Sequence, residues 1–264
     1  MITDTHCHLD AAPLGDDVEG ALARAAAVGV ARVLVPGVRP AQWDTLVLLR
    51  DRHRERVSIA LGIHPQCLPE MDEGEGDRGL ESLEARAREL GAIAIGECGL
   101  DGGTARDHGV SLEAQAAIVR HHVEVADRLA LPLIVHAQDA TGASLALFES
   151  LGPRRHGAIL HAFGGPAELV SRWARLGFFF GLGPSITWPR ARRPKEAARA
   201  VPLDRLLIET DAPGTYVHAS PRGRGEPAEA REVLEALATL RGLEPGALEA
   251  RIVDNERRAL PSMR

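Results

Sequence analysis

Eight short apolar runs punctuate the chain: ITDTHCHLD, ARVLVPGV, VSIALGIHP, GAIAIGECGLD, LPLIVHAQDA, GAILHAFGG, GFFFGLGP and DRLLIETDAP. Runs that are almost continuously apolar and rich in Val, Ile and Leu suit parallel strands covered on both faces, since neither side of such a strand meets water. The stretches between them are amphipathic and read as helices, as in residues 112–130 and 166–177. A strand and a helix alternating eight times predicts an α/β fold, a single-domain TIM-like (β/α)8 barrel over residues 1–264. Residues 227–242 and 245–260 then read as a closing pair of helices. Four polar stretches read as loops: the acidic 69–79, the Gly-rich 101–109, and the basic 189–195 and 220–227.

Composition narrows this picture without changing it. The 264 residues are close to the roughly 250 typical of such a barrel. No stretch approaches the roughly 18 consecutive apolar residues of a membrane span. Strand character from Ile2 onward leaves no room for a basic and apolar leader, so the expected location is cytoplasmic. Three cysteines, with no Cys-x-x-Cys pair, argue against a disulfide framework or a thiolate zinc site. A net charge of -6 argues against a broad basic face for duplex DNA, although the two basic loops are local exceptions.

The chemistry lies where the apolar runs end. Barrel enzymes carry their reacting groups at the C-terminal ends of the strands and on the loops that follow. Those ends hold His6 and His8 on the first run, His64 on the third, Glu97 on the fourth, His136 on the fifth, His161 on the sixth, and Glu209 with Asp211 on the eighth. Residues two apart in a strand share a face, so His6 and His8 project side by side. Taken alone, that pair reads first as two part-buried histidines bonded to backbone. Four of these strand-end imidazoles with two of the carboxylates have the composition of a divalent-metal site. The other histidines serve as controls: His121, His122 and His156 read as surface or packing residues, His53 lies outside the strand ends, and His108 and His218 sit in loops near the expected mouth.

DTHCHLD from Asp4, GIHP from Gly62, GECGLD from Gly96, LPLIVH ending at His136, LHAFGG from Leu160 and ETDAP from Glu209 stand in one order along nearly the whole chain. In this the chain resembles the TatD-type metal-dependent hydrolases, many of them deoxyribonucleases. The resemblance implies two adjacent divalent ions (zinc, manganese or magnesium), with His6, His8 and Asp211 around one, His136 and His161 around the other, and Glu97 bridging both. It implies a substrate or outer role for His64. Glu209 reads as an acceptor orienting a ligand histidine, and Asp211 as general base toward a metal-activated water. Many related barrels bridge their metals with a carboxylated lysine on a strand, but the one lysine, Lys195, falls in a predicted loop, so Glu97 takes that place.

The loops depart from the family's pattern. Gly102 and Gly103 stand where many relatives carry an aromatic residue, and Ala137 with Gln138 where Ser-Arg is usual. Gln138 lacks the fork that would hold a phosphate bidentately. The leading expectation is a phosphodiesterase or deoxyribonuclease acting on single strands or ends of nucleic acid, with Arg190, Arg192, Arg193, Arg222 or Arg224 supplying the phosphate contact. A metal-dependent ester, amide or lactone hydrolase is the alternative. A non-catalytic binding member is disfavoured by the intact ligand set.

Overall fold

In the computed structural model, which describes residues 1–72, 74–220 and 223–263, each of the eight apolar runs contributes a parallel strand. These are β1 (Ile2–Asp4), β2 (Val30–Pro36), β3 (Val57–Leu61), β4 (Ala94–Gly99), β5 (Leu133–His136), β6 (Ala158–Leu160), β7 (Phe178–Leu182) and β8 (Leu206–Ile208), paired in chain order. The barrel closes on residues just past the ends of β1 and β8. Thr5 N donates to Ile208 O (3.1 Å), Asp211 N to His6 O (2.8 Å) and His8 N to Ala212 O (2.8 Å). His6 and His8 therefore lie beyond β1 rather than within it, and the extended pairing with the tail of β8 preserves their two-residue spacing.

Among the described residues ten α-helices surround or follow the strands: α1 (Val18–Ala27), α2 (Trp43–Arg52), α3 (Glu75–Glu89), α4 (Gly102–His108), α5 (Leu112–Leu129), α6 (Thr141–Leu151), α7 (Val170–Arg175), α8 (Arg192–Ala200), α9 (Ala230–Arg241) and α10 (Pro245–Ala259). Strand residues alternate between two cores. Val33, Val35, Leu133 and Val135 face the helices, while Leu34, Ala60, Ala94, Ile134, Ile159, Phe179 and Leu207 form a separate cluster, one from each of seven strands, with Leu260 after α10. This is the filled interior of the barrel. Two residues further along, the same inward positions are His136, His161 and Glu209, so the strand period that fills the core also aims the polar layer above it.

Three predicted loops are helical. α3 starts inside the acidic 69–79 stretch, where Glu75 and Asp77 suit a first helical turn. α4 forms despite two glycines because the Asp101 carboxylate accepts from Thr104 N (2.6 Å) and caps it. α8 takes in Lys195; Pro194 is tolerated there because first-turn N–H groups have no acceptor within the helix. Residues 166–177 divide into a 3-10 turn, Ala167–Leu169, followed by α7. Among the described residues no helix is long and apolar enough to cross a membrane.

His122 is a packing residue with a specific task. Fully buried on α5, it accepts from Ile63 N at Nε2 (3.0 Å) and lies 2.8 Å from Ile118 O at Nδ1. Burial, which outweighs its backbone contact, pushes its pKa down to about 4. The unfolded chain therefore takes up this proton near pH 6.5 and the folded chain only near pH 4. Stability present above pH 6.5 should fall by on the order of 3 kcal/mol as the pH drops through that window. Urea unfolding at pH 7, 5 and 4 should show this loss in the wild type and a smaller one in His122→Gln; equal losses would contradict the assignment.

Candidate metal centre

Glu97, buried at the end of β4, is the hub of the polar layer. One of its oxygens, Oε2, faces His6 Nε2 (3.1 Å) and His8 Nε2 (3.8 Å). The other, Oε1, faces His64 Nε2 (3.1 Å), His136 Nδ1 (3.3 Å) and His161 Nε2 (3.8 Å). Asp211 closes the ring, its Oδ1 standing 3.5 Å from His8 Nε2, 3.7 Å from His161 Nε2 and 3.9 Å from His6 Nε2. All seven residues thus converge, and among the described residues potential ligand atoms gather in three overlapping sets: His6, His8 and Glu97; His6, His161 and Asp211; His64, Glu97 and His136.

Neighbouring groups decide which nitrogen of each ring carries the proton. Asp101 Oδ2 lies 2.9 Å from His136 Nε2, which favours the proton there and turns the Nδ1 lone pair toward Glu97. Glu209 Oε1 stands 2.9 Å from His161 Nδ1, leaving Nε2 to face Glu97 and Asp211. His64 is arranged in the opposite sense. Its Nδ1 accepts from Gln66 N (3.1 Å), so the neutral ring carries its proton on Nε2 and presents a donor to Glu97. That distinction separates His64 from the other imidazoles although its distance to Glu97 does not.

The charge balance fits a cation. His6 Nδ1 and Nε2 and Glu97 Oε2 are buried without a hydrogen-bond partner, a state costing about 1–3 kcal/mol for each group. Burial opposes ionisation of Glu97, yet the neighbouring His64, His6 and His161 imidazoles hold its pKa well below the usual range. Asp211, likewise opposed by burial, is held down to about 2 by His161 and His8. His161 is pushed up to about 10, because Glu209, Glu97 and Asp211 overcome the cost of burying its charge. Carboxylates that stay ionised around lone pairs facing one another suit divalent cations.

Two contributors escaped the sequence reading. Asp101 binds His136, receives Gln66 Nε2 (3.0 Å) and caps α4; the signal was an acid ending GECGLD. Asp4, fully buried, accepts from Thr210 N (2.9 Å) and His6 N (3.3 Å) and so holds the two tails together. Glu209 lies beneath the pocket, where Gly181 makes its position possible: a Cβ there would stand 1.9 Å from Glu209 Oε2. Asp101→Asn should lower kcat/KM by about 10–100-fold with little change in Tm. Asp101→Ala should lose about 1 kcal/mol of stability as well, through the cap. Steady-state rates and thermal melts of both variants test this, and a wild-type rate in Asp101→Asn would refute the orienting role.

Above the layer opens a cavity of 890 Å³, whose wall includes Gln66, Cys67, Gln138, Phe163 and Thr215. Of the arginines in the basic stretches, Arg193 alone among the described residues lines it; Arg190, Arg192 and Arg224 do not, and Arg222 lies outside the described residues. His108 and His218 stay off this wall too, and His218 packs instead against Trp188, with ring centroids 5.1 Å apart.

The TatD related DNase family matches residues 3–261 of the chain. The uncharacterized metal-dependent hydrolase YcfH of Escherichia coli (strain K12) is 34% identical over 97% of this chain and 94% of its own length. The 3'-5' ssDNA/RNA exonuclease TatD of Klebsiella pneumoniae (strain 342) is 32% identical over 96% of this chain and 95% of its own. In three dimensions the chain is similar to the crystal structure of the TatD homolog YjjV from Escherichia coli K12, with a TM-score of 0.85, 28% identity and 98% of both chains covered.

Proposed function

The chain belongs to the TatD related DNase family of metal-dependent hydrolases, and from that membership and the polar layer we infer that it cleaves phosphodiester bonds in single strands or at the ends of nucleic acid. The observation that carries this reading is Glu97, whose two oxygens face different groups of imidazoles. His6, His8 and Asp211 would hold one cation on the Oε2 side, His136 and His161 another on the Oε1 side, and Glu97 both. When bound, two divalent cations (zinc, manganese or magnesium) supply Lewis-acid polarisation of the scissile group and acidify a water near neutral pH.

The chain's own residues do the rest. Asp211 is ionised at working pH and part-exposed to the cavity, which suits it to accept the proton of the attacking water. Asp101 and Glu209 hold His136 and His161 in register, and His64 donates toward Glu97. The Klebsiella relative, named as an exonuclease on single-stranded DNA and RNA and similar over nearly its full length, supports nucleic acid as the substrate. The neutral Ala137 and Gln138, which line the cavity beyond β5, favour the second reading, an ester, amide or lactone hydrolase.

Metal-loaded protein assayed on single-stranded and duplex DNA, a minimal phosphodiester, esters, amides and lactones separates the two. The expected result is cleavage of single strands that a chelator abolishes. Turnover of an ester, amide or lactone with no phosphodiester cleaved under zinc, manganese or magnesium would replace the first reading by the second.

A further inference from the structure

The cavity wall is electrostatically uneven. Glu97, Asp139 and Asp211 line it, and among its described residues Arg193 is the one Lys or Arg. Arg193 belongs to the first turn of α8, beside Pro194, whose Cγ would lie 3.4 Å from a Cβ on Gly164. The start of α8 thus rests against the loop after β6, and from there Arg193 joins the cavity wall. Some arginines elsewhere are tied down, as where Arg24 bonds Glu226 and Arg172 bonds Glu149. Arg193 is exposed and, among the described residues, its side chain has no hydrogen bond or ion pair.

An unpaired guanidinium on the wall of a cavity that also holds three carboxylates has one evident use, attraction of an anionic part of the substrate. Among the described residues no ion pair joins it to Glu97 or Asp211 of the imidazole layer, so we assign it to an anion other than the group being cleaved. A planar fork of five donors matches phosphate better than a point charge does. The volume of 890 Å³ is near the upper end of the roughly 300–1,000 Å³ found for small-ligand sites, leaving room beyond a single reacting group. The segment leading into α8 also carries Trp188, 37% exposed and packed against Tyr216 with centroids 5.6 Å apart, a surface on which a base can stack.

We propose that Arg193 is a specificity-determining residue that binds the phosphate adjacent to the scissile one in a single nucleic-acid strand. This rests on the phosphodiesterase reading, and it assigns to α8 the strand contact that Gln138 does not make.

The test is binding of a fluorescent, hydrolysis-resistant phosphorothioate oligonucleotide to manganese-loaded wild type, Arg193→Ala and Arg193→Lys, followed by anisotropy over a salt series. Arg193→Ala should raise Kd about tenfold and reduce the slope of log K against log salt by about 0.7, the share of one phosphate contact on a single strand. Arg193→Lys should fall between. The KM for a minimal phosphodiester bearing one phosphate should not change. Failure of the wild type to bind the strand, or an unchanged Kd and slope in Arg193→Ala, overturns the proposal, as does an Arg193 effect confined to a carboxylate-bearing ester. Turnover separates the two levels. Arg193-dependent binding without cleavage of any phosphodiester sinks the nuclease reading alone, whereas normal strand cleavage with no Arg193 effect sinks this inference alone.

Discussion

Glu97→Gln should empty both halves of the centre at once. The amide removes the charge shared between the Oε1 and Oε2 sides and turns an NH2 toward imidazoles that offer lone pairs. Bound divalent metal should fall from as many as two equivalents to well below one. Turnover should drop on the order of 10³-fold, beyond the roughly 10–100-fold seen when only an outer partner of a ligand is lost. Stability of the metal-free protein at neutral pH should fall as well, because folding favours the ionised carboxylate and its loss leaves the protonated His161 without that counter-charge. Elemental analysis after gel filtration, initial rates and thermal melts together check this. Retention of metal and rate would show that Glu97 is not shared between two ions.

Asp211→Asn should be nearly as severe for a different reason. Its backbone lies in the left-handed region at φ 54°, which Asn accepts more readily than most residues, so the fold is spared. The variant loses the carboxylate that accepts a proton, worth about 10²–10⁴ in kcat. Retained metal with lost kcat would locate its role in proton transfer; loss of both would make it chiefly a ligand. Unchanged kcat and metal content would refute both roles. Asp211→Ala pays for the backbone conformation as well and should melt lower than Asp211→Asn.

The barrel and its polar layer are legible because six of the eight apolar runs end on residues that apolar strands rarely tolerate. Ile134 to His136, Ile159 to His161 and Leu207 to Glu209 are single steps of a two-residue period, and period is what a sequence displays best. Partnerships across the chain were less legible. Asp101 meets His136 from 35 residues away, and Glu209 depends on the missing side chain of Gly181, which reads in GFFFGLGP as one small residue among aromatics. Local stability was misjudged where caps prevail over composition, as Asp101 does for Gly102 and Gly103. Nothing in the sequence ranks the loop arginines, since it is the course of α8 that brings one of them, Arg193, to the cavity wall.

The closure between the tails of β1 and β8 bears on how the protein becomes complete. Thr5 meets Ile208 across 203 positions of sequence, and His6, His8 and Asp211 sit on those same two tails. Their cluster exists only after one of the longest loops available to the chain has been shut, the step that contact order makes slow. A cation held across the seam, as proposed above, would act as a clip on that loop, with the entropic advantage that grows with loop length. By mass action it would shift the folding equilibrium through RT ln(1 + [M]/Kd). Fraying of the first few residues and loss of metal would then be coupled.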